Sequence, residues 1–179
     1  MALAACVALT AGCSGGGSDG PDAAGSSDAA SVDAAGALLQ TGLDQVAAGD
    51  DESARTTFLN VLTLDPTNVY AHYNLGLIAQ NRGEEKQALA SYDDALAADP
   101  EFGPALYNKG ILTESTDLAA AVDLYRRAID ADDTFAPAFM RLGFALLHLG
   151  EDDEGTKYLA QGLKLDPAMA DVKAPSYVD

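Results

Sequence analysis

From about Val32 onward, apolar and small residues return every three or four positions, as in Ala88, Leu89, Tyr92, Ala95 and Leu96. That spacing gathers one stripe on one face of a helix. The stripes come in pairs. Short polar turns part the two members of a pair, at Asn81-Arg82-Gly83-Glu84 and at Leu149-Gly150-Glu151-Asp152. The second member stops at Asp65-Pro66, Asp99-Pro100 and Asp166-Pro167. Proline removes a backbone donor and restricts the residue before it, which ends a helix. The pattern predicts an all-α chain of helix–turn–helix units.

The units are copies of one another. Glycines recur at Gly42, Gly76, Gly110 and Gly143, and bulky residues at Phe58, Tyr92, Tyr125 and Leu159. Small residues recur at Ala54, Ala88, Ala121 and Gly155, and again at Val61, Ala95, Ala128 and Gly162. The columns step together by 34 residues, with one residue deleted between Gly110 and Ala121. This period and pattern resemble the tetratricopeptide repeat family. The resemblance divides residues 32–169 into four repeats, 35–68, 69–102, 103–135 and 136–169, followed by a tail over 170–179. It implies a right-handed solenoid, in which Gly and Ala columns let paired helices approach and Tyr92 and Tyr125 fill the wedge between neighbouring units. Asp65, Asp99, Asp132 and Asp166 stand where a carboxylate can cap the next helix.

Ahead of the repeats the composition changes. Residues 13–31 are almost all Gly, Ser, Asp and Ala, too polar to offset the entropy of ordering, and read as a flexible linker. Residues 1–12 carry an apolar run too short to cross a bilayer but suited to a signal peptide. It ends in Ala11-Gly12-Cys13, which resembles a bacterial lipobox. The resemblance implies cleavage before Cys13, lipid on its sulfur, and a mature chain held at the cell envelope and facing outside the cytoplasm. No further membrane contact is expected.

Acidic residues outnumber basic ones 28 to 10, for a formal net charge of −18, and no Lys or Arg precedes Arg55. Such a chain repels phosphate backbones, which argues against nucleic-acid binding. Both cysteines, Cys6 and Cys13, lie ahead of the repeats, which carry neither disulfide nor thiolate metal site. Asp130 to Thr134 lacks the Gly and Glu of a calcium loop, and His72 and His148 have no zinc-ligand spacing. With no phosphate loop or nucleophile motif either, no cofactor, metal or catalytic residue is expected.

The repeat resemblance implies that first helices line a concave groove where a protein or extended peptide binds. On matched positions the groove shows Leu39 and Gln40, then Tyr73, Asn74 and Leu77. Repeat three adds Tyr107, Asn108 and Ile111, and repeat four Met140, Arg141, Phe144 and His148. An Asn carries both a donor and an acceptor, so the Tyr73-Asn74 and Tyr107-Asn108 pairs suit a peptide main chain. Lys109 and Arg141 are candidates for a carboxylate clamp. The expected function is a membrane-anchored interaction module supporting assembly of an envelope complex. The alternative is a scaffold subunit that uses its convex face or ends and leaves the groove idle.

Overall fold

The computed structural model describes residues 24–177. It contains α1 (Ala24–Ala47), α2 (Asp51–Leu64), α3 (Val69–Asn81), α4 (Glu85–Ala98), α5 (Gly103–Thr113), α6 (Leu118–Ala131), α7 (Ala136–His148) and α8 (Asp152–Leu165). A short 3₁₀ helix, Pro167–Asp171, follows. Among the described residues there is no strand, and the main helix contacts run between consecutive elements. The pairs α1/α2, α3/α4, α5/α6 and α7/α8 are the four expected repeats, stacked as a solenoid.

The glycine column has a direct steric cause. A Cβ on Gly76 would lie 2.5 Å from the Tyr92 ring, and one on Gly110 the same distance from Tyr125. Gly42 stands likewise against Phe58, and Gly143 against Leu159. Each bulky residue therefore seats on the bare backbone of its own repeat. This refines the expected role of Tyr92 and Tyr125, which clamp a helix pair before they touch the next; Tyr92 then reaches Ala105 beyond it. Tyr92, Tyr125, Phe58, Ala54, Ala88 and Ala121 are fully buried.

The acidic column acts differently from expectation. Asp65, Asp99 and Asp132 close the turn after the second helix, where the carboxylate accepts from the backbone N–H two residues on. The following helix is capped by Asn68 at α3, and opens with a proline in its first turn at α5 and α7. Only Asp166 serves as expected, accepting from Ala168 N at the 3₁₀ helix.

α1 begins at Ala24, inside the stretch read as linker. Ala35 is buried at 2% exposure, and alanine, frequent in this stretch, favours helix. The leader, Cys6, Cys13 and the linker up to residue 23 lie outside the described residues.

The deletion in repeat three falls in its turn. Repeats one, two and four leave the first helix through a left-handed glycine, Gly49, Gly83 and Gly150. Repeat three instead continues past Thr113 with helical backbone at Glu114 and reaches Asp117, which caps α6. The shortcut places Glu114 at the end of α5.

Candidate binding groove

α3, α5 and α7 line one wall, and side chains from α5 and α7 converge. Tyr107, Pro137, Met140, Arg141 and Phe144 surround a cleft of about 80 Å³, together with Met169, Val172, Lys173 and Pro175 of the tail. The sequence placed Tyr107, Met140, Arg141 and Phe144 here. The tail residues it did not. Met140 is nearly all interior, its sulfur packed where a Cβ on Gly162 would stand, so only one side of it meets the cleft.

Behind the cleft lies a polar network. Glu114 accepts from the Tyr125 hydroxyl at 2.5 Å and from Arg141 Nη1 at 2.9 Å. The Arg141 guanidinium also faces Tyr107. Burial raises the Glu114 carboxyl above its ordinary range, while Tyr125 and Arg141 pull it back. Burial raises the Tyr125 hydroxyl too, and donation to Glu114 adds to that. The equivalent acceptor one repeat earlier is neutral: Tyr92 donates to Gln80 Oε1 at 2.6 Å. Glu114 is the residue that reading the sequence for groove positions missed. A signal existed, because the buried hydroxyls of Tyr92 and Tyr125 each need an acceptor, and Gln80 and Glu114 stand 34 residues apart in the matching column.

The two Tyr-Asn pairs are engaged within the protein. Asn74 is 7% exposed and its Nδ2 donates to Tyr70 O at 2.7 Å. Asn108 Nδ2 donates to Pro104 O at 2.9 Å and to the Tyr73 hydroxyl at 3.2 Å. Tyr73 meets Phe102 edge-on at 5.3 Å, and Tyr107 meets Phe135 edge-on at 5.0 Å. Each Tyr thus packs on the aromatic residue that directly precedes the first helix of the next repeat. Each asparagine thus has a structural task, donating to a carbonyl one helical turn back and, from Asn108, to the Tyr73 hydroxyl as well. Leu77 and Ile111 are half-buried against the Tyr92 and Tyr125 clusters, and Gln40 donates to Asp44 at 2.9 Å.

Lys109 pairs with Asp93 of the preceding repeat, away from the groove, and Arg141 is paired with Glu114. No carboxylate clamp is formed by these two. The sparse cations serve as ties between repeats: Arg82 reaches Glu52, Arg126 reaches Glu154, and Arg127 donates to Pro100 O. His72 has a structural role, with Nε2 2.9 Å from Pro66 O. Among the described residues no three His, Cys, Asp or Glu side chains gather as a metal site. None of the described helices is long and apolar enough to cross a membrane.

Family models of the tetratricopeptide repeat match residues 39–101 and 136–169. The chain is built of tetratricopeptide repeats. No curated protein sequence matches it. Among solved structures it is similar to MamA, at 25% identity and a TM-score of 0.66, covering 76% of this chain and 80% of that one. It is also similar to pilF of Pseudomonas aeruginosa, at 26% identity and a TM-score of 0.69, over 77% of this chain and 64% of pilF. YrrB, described as a tetratricopeptide protein with an unusual peptide-binding site, shares the fold at 23% identity and a TM-score of 0.65, over 75% and 70% of the two chains. Tetratricopeptide arrays are interaction modules for proteins or peptides, and this array has the architecture of one.

Proposed function

We propose that this tetratricopeptide chain binds an extended segment of a partner protein along α5 and α7, and does so from the surface of a bacterial membrane to which Cys13 anchors it. The observation that carries the groove half of this reading is the cleft itself. It draws aromatic, apolar and cationic side chains from two repeats, and it already accommodates non-helical backbone. Tyrosine and arginine at such a place give large contact area and directional donors. The anchor half rests on Ala11-Gly12-Cys13 after an apolar run and before a Gly/Ser stretch. Diacylation there would hold the array at a bilayer, since each buried CH₂ contributes about 0.8 kcal/mol. The partner then meets a strongly acidic body, so association with a basic segment is accelerated and sensitive to salt.

The test uses photocrosslinking side chains in intact cells, one at Phe144 in the cleft and one at Leu59, exposed on α2. A partner captured from Phe144 and absent from Leu59 supports the groove. Equal capture from both positions favours a scaffold that works through its outer face. Mass spectrometry of the membrane-extracted chain tests the anchor, and an intact Met1 terminus would refute it.

A further inference from the structure

The residues after the 3₁₀ helix turn back along the groove. Val172 leaves that helix with extended backbone (φ −69°, ψ 121°), and the chain runs without regular secondary structure to Tyr177. Val172, Lys173 and Pro175 share the cleft with Pro137, Met140, Arg141 and Phe144. Tyr177 packs against the cluster built on Tyr125 and Leu142, and its ring lies 4.9 Å from His148, the last residue of α7. The lengths agree: six extended residues span roughly 20 Å, as do the 13 residues of α7 at about 1.5 Å each. The tail therefore lies along the same helix that a partner segment would use.

Its fit is good in shape and poor in one hydrogen bond. The Tyr177 hydroxyl is buried, and no described residue bonds to it. Glu114, the nearby acceptor, is already held by Tyr125 and Arg141. A buried hydroxyl left unpaired costs free energy that a phenylalanine would not pay. The seat is thus filled by a ligand held below the strength its contacts allow, which suits an occupant that has to leave.

Resting on the groove reading above, we infer that residues 172–177 are a built-in occupant of the α5/α7 seat, and that outside partners enter by displacing them. The partner chemistry follows from the occupant: an extended segment with a proline and, two residues later, an aromatic side chain that enters the Tyr177 position.

Tyr177 variants of the full chain test this against a fluorophore-labelled synthetic peptide of sequence Val-Lys-Ala-Pro-Ser-Tyr. Tyr177→Ala loosens the tail and should bind the peptide about tenfold more tightly than wild type. Tyr177→Phe removes the unpaired hydroxyl, holds the tail harder, and should bind it about threefold more weakly. Opposite signs are the signature, because a general loss of packing would not make one variant better and the other worse. A direct readout is available because the chain has no tryptophan. In Tyr177→Trp, emission should start blue-shifted and move to that of exposed tryptophan as unlabelled peptide is added. Equal affinity for all three chains, binding to none of them, or a tryptophan already exposed without peptide would overturn the inference. The groove reading falls on different evidence, the Phe144 crosslink, which is scored whether or not the tail competes.

Discussion

Repeats two and three carry the same residues in their glycine, alanine and tyrosine columns, yet their polar interiors differ. In both, a glycine on the first helix receives a tyrosine from the second, Gly76 with Tyr92 and Gly110 with Tyr125. In both, that hydroxyl donates to a polar side chain near the C-terminal end of the first helix. In repeat two this is Gln80, and the arrangement ends there. In repeat three it is Glu114, which brings in Arg141 from repeat four and places a charged pair beneath the cleft. One side chain thus converts a closed structural bond into a tie between repeats at the site where the tail docks. The shared columns explain why the repeats stack. The unshared residue marks where the array is specialised.

The largest expected effect tests what the two repeats have in common. Gly76→Leu and Gly110→Leu should each lose about 1–3 kcal/mol in denaturant titrations, since even a Cβ there overlaps a buried ring. Gly36→Leu, with open space around its Cβ, should lose nothing. Unchanged stability at Gly76 would mean that helix pairing does not depend on that seat.

The next effect tests the difference. Glu114→Ala strands both the Tyr125 hydroxyl and a partly buried guanidinium, for a loss of about 2–3 kcal/mol. Gln80→Ala strands one hydroxyl, for about 1 kcal/mol. Equal losses would show that the Arg141 pair adds no stability.

The smallest effect is a pH dependence. The Glu114 carboxyl titrates above its ordinary value of 4.5 in the folded chain, because burial outweighs its two donors. Between the ordinary and the folded value the native state keeps a proton that the unfolded chain has released, so stability falls as pH rises through that window. Glu114→Gln should flatten this decline. Asp50 and Asp132, whose carboxyls titrate below 3.8, act with the opposite sign at lower pH and leave the window clear. A slope that survives in Glu114→Gln would assign it to another group.

Much of the fold was legible because a repeat states each packing rule several times. Gly42, Gly76, Gly110 and Gly143 read as close-approach positions before any coordinates, and each proved to be one. Tyr107, Arg141 and Phe144, matched by register on α5 and α7, share one cleft. The asparagine column sets where each one starts on a helix but says nothing of which carbonyl lies within reach. Tyr70 O and Pro104 O take those donors through the local turn of helix.

The sequence by itself determined the all-α class and the stack of helix–turn–helix repeats, since period and small-residue columns are local and redundant. Tertiary structure alone decided the pairing of Glu114 with Arg141, the use of sparse cations as ties between repeats, and the course of residues 172–177. These rest on contacts between residues 16 to 30 positions apart, or on a single copy of a segment with no repeat to compare. A pattern can announce a contact that recurs. A contact made once, across the stack, is set by where packing happens to bring two surfaces within bonding distance.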